Sequence, residues 1–203
     1  MNAPALVFDK PGHRYTVDGV AIPSVTEILA PLNSFRFVAP AVLRAAQDLG
    51  TAVHLACELD DRGVLDEETL APELQGYLAA WRLFRKEHNT HWLLVEAPVF
   101  NPEMGYAGTV DRFGFVDTEK TVVDLKSSAA LYPSVGPQLA AYARAIPQAS
   151  PCTVRMAVLL KPTGHYEART YRSSMDWAVF ASLLTVRSFC QLHKINPEFG
   201  ARP

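Results

Sequence analysis

The feature that most constrains this chain is a change of hydrophobic period just before residue 90. Upstream, Leu74, Tyr77, Leu78, Trp81 and Phe84 recur at helical spacing, and Pro72 fits a first-turn position, so residues 66–88 read as an amphipathic helix. Downstream, residues 91–100, 106–116 and 121–126 are β-rich runs, separated by Asn101-Pro102 and by Asp117-Thr118-Glu119-Lys120. Residues 137–146 return to helical spacing, with Leu139, Tyr142 and Ala143 on one side. Two strands over 152–160 and 165–172 follow, and a last helix runs from a cap at Ser174 to about Lys194. Helices, three strands, a helix, two strands and a helix predict an α/β fold with one central mixed β-sheet flanked by helices.

The N-terminal part reads as a hairpin around Asp18-Gly19 and a helix start capped near Ser24. Pro40 opens a helix over 40–49 that Gly50 interrupts; Thr51 then caps a new stretch to about Asp60, with Gly63 just past its end. No repeat, low-complexity tract or long linker appears, so 1–203 is expected to form a single domain. Within it, 1–49 is a hairpin and helical decoration, 50–172 the core and 173–203 the C-terminal helix. A chain of 203 residues, 49% hydrophobic and 20% charged, buries enough core to fold without a disulfide or metal staple. Its cysteines, Cys57, Cys152 and Cys190, are odd in number and widely spaced, against a secreted disulfide framework and against any four-thiolate zinc or iron–sulfur site. The apolar runs, such as 156–160, are too short for a membrane span, and no basic-then-apolar leader opens the sequence. A cytoplasmic protein without a membrane partner is the expectation.

Charge is unevenly distributed. Residues 1–119 carry 9 Lys/Arg against 17 Asp/Glu, a net of −8; residues 120–203 carry 10 against 4, a net of +6. The basic half is where an anionic partner would dock, with Arg144 as a phosphate contact. An uneven scatter of solvated charge is the other reading of the same numbers.

Chemistry concentrates in Gly108-Thr-Val-Asp111 and Val122-Val-Asp124-Leu-Lys126-Ser-Ser128. Asp and Lys are depleted from strand interiors, so three of them in strand-like runs need an explanation. Strand alternation puts Asp124 and Lys126 on one face and Val123 and Leu125 on the other. A hairpin closed within 117–120 puts Asp111 opposite Lys126 and Phe113 opposite Asp124, and all three polar residues then share a face. Two carboxylates suit a hard divalent cation, Mg²⁺ or Mn²⁺, to which the backbone carbonyl of Leu125 would add a ligand. Lys126 would then orient an attacking water or stabilise a phosphoryl transition state. A structural Asp–Lys ion pair accounts for the same residues without any catalysis.

The flanking residues carry a resemblance. Gly108-x-x-Asp111, Asp124-x-Lys126 and Gln138-x-x-x-Tyr142 resemble, in that order, the PD-(D/E)XK nuclease superfamily. Within it the likeness is to the branch of the RecB nuclease domain, lambda-type phage exonucleases and mitochondrial genome-maintenance exonucleases. Gly50-Thr51-x-x-His54-x-x-x-Glu58 is similar to the helical Gly-Thr-x-x-His element of that branch, and Glu96 falls where its first core strand often carries a glutamate. The match spans roughly residues 50–145 plus the later strands. Asp124 stands in place of the commoner glutamate, and Ser127-Ser128 stands where Thr-Gly or Thr-Ser is frequent.

The resemblance implies a restriction-endonuclease-like core and a metal-dependent deoxyribonuclease, of phage exonuclease type, acting in DNA recombination, repair or degradation within a bacterial or phage-infected cell. It implies Asp111, Asp124 and His54 as metal ligands, with Glu96 assisting, and Lys126 as the catalytic lysine. Gln138, Tyr142, Ser127 and Ser128 would hold the DNA strand. A recombination or single-strand-binding protein would be a further partner, and the absence of the four cysteines of the iron–sulfur branch implies no such cluster. Taken alone, His54 is also read as a core histidine, Glu96 as a loop tie, Tyr142 as core, and Glu58 either as a partner behind the ligands or as a surface charge. The alternative function is a non-catalytic nucleic-acid-binding or assembly module that keeps the fold; the complete Asp111, Asp124, Lys126 set argues against it.

Overall fold

A computed structural model describes residues 5–10, 12–33, 38–147, 149 and 153–195. The chain opens with a three-stranded antiparallel sheet, β1 (Leu6–Asp9), β2 (Arg14–Val17) and β3 (Val20–Ile22). The β2–β3 turn is Asp18-Gly19 with φ of 49° and 81°, the left-handed pair that a two-residue hairpin requires. Strand β1 is an addition to the expected hairpin. Ser24 and Glu27 then form a reciprocal capping box, the Ser24 hydroxyl accepting from the Glu27 amide at 3.1 Å and the Glu27 carboxylate from the Ser24 amide at 3.0 Å. It starts the short helix α1 (Val25–Leu29).

Helix α2 (Pro40–Asp61) runs unbroken through Gly50, contrary to the interruption expected there. Thr51 caps nothing; its hydroxyl donates back to the Gln47 carbonyl at 3.0 Å inside the helix. One glycine costs a helix about 1 kcal/mol, which the packing of Val53, Ala56 and Cys57 in the core outweighs. The expected division at residue 49/50 therefore falls in mid-helix. A 3-10 turn at Glu67–Thr69, capped by Asp66, precedes α3 (Pro72–Glu87), with Pro72 at its first turn as expected.

The main sheet has five strands in the order β4 (Thr90–Asn101), β5 (Tyr106–Val116), β6 (Glu119–Lys126), β7 (Val154–Leu160) and β8 (Tyr166–Tyr171). Only β6 and β7 run parallel, joined by the crossover helix α4 (Val135–Ala145), so the sheet is mixed as expected. Helix α5 (Met175–Leu192) ends the described fold. Ser174 precedes it, but the first-turn amide of Met175 is met by the Ser173 hydroxyl at 3.2 Å. Cys152 lies outside the described residues.

Alternation in β6 separates two cores. Val122 faces α1, α4 and α5, among Val25, Ile28, Leu139, Tyr142 and Phe180, whereas Val123 and Leu125 face α2 and α3, among Val53, Cys57, Trp81 and Phe84. Each such large side chain contributes about 1.5–3 kcal/mol by leaving water. The result is an α/β layer structure with helices on both faces of the sheet.

The β5–β6 register corrects the expected pairing. Arg112 faces Val123, Phe113 faces Val122 and Val116 faces Glu119, so the turn is Asp117-Thr118. Asp117 takes φ 56°, and its carboxylate accepts from the Asn89 amide at 3.1 Å and bonds His88 Nδ1 at 3.0 Å, which fixes the turn early. The slip is by two residues, an even number, so every side chain keeps its expected face.

Candidate metal centre

The β5–β6 ladder ends at Arg112 and Val123, and beyond it β6 continues beside β7 alone. Asp111 fills the fork. Its Oδ2 accepts the Leu125 amide proton at 2.7 Å, a bond that a backbone carbonyl of β5 would otherwise provide. Gly108, three residues earlier, is required by close approach: a β-carbon there would lie 2.7 Å from Tyr142 Cε1 and 3.1 Å from Val25 Cγ2. The Gly-x-x-Asp spacing thus seats the Tyr142 ring against β5 and the carboxylate at the split.

Asp124 and Lys126, two apart on β6, share a face as alternation requires. Lys126 Nζ lies 2.7 Å from Asp124 Oδ2, while Asp124 Oδ1 is buried with no hydrogen-bond partner among the described residues. Burial pushes the Asp124 carboxyl up to about 6; Lys126 opposes the rise and Asp111 adds to it. Burial also raises Asp111, against the pull of His54. Burial pulls the Lys126 ammonium down, but Asp124 and Asp111 outweigh it and its pKa rises.

Glu96 reaches the same place by an irregular route. It sits inside β4 with φ 45°, in the left-handed region that a glutamate rarely enters. Its Oε1 lies 3.3 Å from His54 Nδ1 and accepts from Arg112 Nη1 at 3.0 Å. His54 comes from α2, with Nδ1 3.7 Å from Asp111 Oδ1 and Nε2 3.1 Å from the Leu125 carbonyl. Burial lowers the imidazole pKa, yet Asp111 and Glu96 overcome it and push the ring up to about 9. At neutral pH the ring therefore carries both protons and donates to Glu96 and to Leu125.

Ligand atoms of His54, Glu96 and Asp111 all lie within 4.8 Å of one another. Carboxylate oxygens with one imidazole are a donor set for a hard divalent cation. Asp124, expected as a ligand, is not in that group, although its buried Oδ1 has no hydrogen-bond partner among the described residues. With Nε2–H on the Leu125 carbonyl, the nitrogen left for a metal is Nδ1. That carbonyl, expected as a ligand, is occupied by the histidine.

The remaining expected residues divide. Tyr142 is buried near both carboxylates, which add to the burial that raises its hydroxyl pKa, and Gln138 Nε2 donates to that hydroxyl at 3.2 Å. Ser127 faces α2, its Oγ 3.6 Å from where a Gly50 β-carbon would be, and Ser128 Oγ donates to the Ala130 carbonyl at 2.8 Å. Arg144 is not brought to the cluster. Two residues beyond Tyr142, it turns about 200° around α4 and stacks over Trp177 with its guanidinium 4.3 Å from the ring centre. Glu58 pairs with Arg62 at 2.9 Å, and Arg62 Nη2 also donates to the Val95 carbonyl, next to Glu96, at 3.4 Å.

Two residues escaped the sequence reading, Arg112 and Asp61. Both side chains are wholly buried, and Arg112 Nε donates to Asp61 Oδ2 at 2.6 Å behind the cluster. An arginine inside a strand-like run was the signal, on the face opposite Asp111. No family model matches the chain, and no curated protein matches it either. No helix among the described residues is long and apolar enough to cross a membrane.

Proposed function

We propose that this protein is a Mg²⁺- or Mn²⁺-dependent deoxyribonuclease with a restriction-endonuclease-like core of the PD-(D/E)XK type, acting as an exonuclease of phage kind. One observation carries the reading: Asp124, buried beside Lys126 and under the electrostatic influence of the buried Asp111, keeps an oxygen without a hydrogen-bond partner among the described residues. Buried acceptors are mostly paired, so the open oxygen favours an ion over a purely structural pair.

Asp111 and Asp124 would hold the ion, with Glu96 and the Nδ1 of His54 beside them. A divalent cation there supplies charge neutralisation at a phosphate and acidifies water. Lys126, held by Asp124 in its charged form, orients the water and balances charge on the phosphoryl oxygens. Gln138 and Tyr142 form one wall, and Gly108 lets that wall come close. The strand is assigned to an open cleft of about 710 Å³ lined by Ala129, Leu131, Leu159, Lys161, Glu167 and Arg169. Leu159 is the β7 partner of Lys126, so the cleft begins beside the lysine.

The test is cleavage of end-labelled linear and of circular DNA with Mg²⁺, with Mn²⁺ and with excess chelator. Metal-dependent loss of linear DNA, with circles spared, is expected. Lys126→Ala should lose cleavage and still bind the ion, because an ammonium does not coordinate a cation. Robust cleavage in chelator would overturn the metal reading, and a fully active Lys126→Ala protein would remove the lysine from it.

A further inference from the structure

We propose that the buried Asp61–Arg112 pair positions the metal ligands; this rests on the reading that the cluster binds a divalent cation. Arg112 Nη1 donates to Glu96 Oε1 at 3.0 Å and to the Asp111 carbonyl at 2.6 Å. One nitrogen therefore joins a side-chain ligand on β4 to the backbone of a ligand on β5. The same guanidinium gives its Nε to Asp61 Oδ2 at 2.6 Å and lies over Trp81, 5.6 Å from the ring centre.

Asp61 is anchored in turn. Its Oδ1 accepts from Arg85 Nη1 at 2.7 Å and from Trp81 Nε1 at 3.0 Å. Arg85 also pairs with Asp60, as does Arg82, so the last turn of α2 is tied to α3 through a continuous set of ion pairs. The chain of contacts runs from α3 through Asp61 and Arg112 to Glu96 and Asp111. His54, on the same helix as Asp61, meets those two carboxylates from the other direction.

Stability is a poor reason for such a pair. Removing both charges from water is costly, and apolar replacements of similar size are often as stable or more so. What the pair supplies is geometry. Glu96 stands in a strained left-handed backbone, and a fixed donor holds its carboxylate toward His54 and Asp111. Lysine cannot replace that donor, because it lacks the planar fork that reaches Asp61, Glu96 and the Asp111 carbonyl together.

The experiment measures Mn²⁺ binding to full-length wild type, Asp61→Asn and Arg112→Lys by calorimetry and by the electron-spin resonance of bound Mn²⁺, beside thermal unfolding of each metal-free protein. Asp61→Asn keeps volume and touches none of the ligands. Both variants should weaken Mn²⁺ binding by about 10–100-fold, the usual loss when an outer partner of a metal ligand is removed, and should broaden the resonance of the ion that still binds. Lower unfolding temperatures with unchanged Mn²⁺ affinity would overturn the proposal, and so would variants too unstable to fold, since either result assigns the pair to stability. A wild type that binds no Mn²⁺ overturns the metal reading itself and the proposal with it.

Discussion

Asp111 Oδ2 accepts the Leu125 amide proton at 2.7 Å, so a side chain stands where the β5–β6 ladder stops. The carboxylate has two tasks at once, closing a backbone bond and offering its other oxygen to the cluster. Isosteric and truncated variants separate them. Asp111→Asn keeps an acceptor for Leu125, so in stability it gives up only the attraction to the charged His54 ring, while losing metal binding and about a hundredfold or more of activity, roughly 2.7 kcal/mol of barrier. Asp111→Ala should lose the same activity and a further 1–3 kcal/mol, about the cost of a stranded buried amide. Equal melting temperatures for the two variants would show that the Leu125 bond carries no stability.

The backbone at Glu96 stores strain that a glycine would release. A residue with a β-carbon at φ 45° costs about 1–2 kcal/mol relative to glycine. Glu96→Gly should therefore be more stable than Glu96→Ala by about 1 kcal/mol, although both lack the carboxylate and both should bind Mn²⁺ more weakly. Chemical denaturation of the two variants side by side checks the difference. If Glu96→Ala is the more stable, the left-handed backbone is not under strain.

His54 makes the metal-free protein sensitive to alkali. Its ordinary pKa of 6.5 is raised to about 9 in the fold, against burial, by Asp111 and Glu96. A raised folded value means that the charged ring's contribution to stability is complete below about pH 6.5 and disappears as pH climbs through about 9. Thermal melting of chelator-treated wild type should fall across that window, and His54→Gln should remove the fall. Adding Mn²⁺ at neutral pH should release a proton as the ion takes Nδ1, visible in the buffer dependence of the binding heat. Wild type and His54→Gln with the same pH profile would show that the ring is not charged there.

Much of this arrangement was legible because it rests on parity. Asp124 and Lys126 share a face whatever the turn, and the two-residue slip in register left Asp111 where an even offset must leave it. The order of helices and strands followed from periodicity for the same reason. What stayed hidden depended on tertiary contacts. Gly50 reads as a break, but the packing of α2 overrides a local preference worth about 1 kcal/mol. The turn at Asp117 is set by Asn89 and His88, from the link between α3 and β4. Arg112 reads as a stray charge until Asp61, 51 positions earlier, is seen against it.

Arg144 shows the limit of reading function from charge alone. The net +6 of residues 120–203 made it a phosphate contact, but its guanidinium lies over Trp177 on α5 and it does not line the cleft. Lys161 and Arg169, from the same basic half, line the cleft that begins beside Lys126. Each phosphate neutralised releases condensed counterions, so DNA affinity should fall linearly on a log–log plot against salt, by about 0.7–0.9 per contact depending on strand state. Arg169→Ala should flatten that slope by about one such unit, because Arg169 is exposed and its ring contact with Tyr171 leaves the charge in water. Lys161→Ala should do less, since Glu167 already pairs with it at 3.2 Å. Arg144→Ala should leave the slope unchanged and lower stability by about 0.5–1 kcal/mol through the lost cation–π contact. Salt titrations of DNA binding by the three variants decide the matter. A slope that drops with Arg144→Ala and not with Arg169→Ala would move the nucleic acid from the β8 cleft to the α4–α5 face.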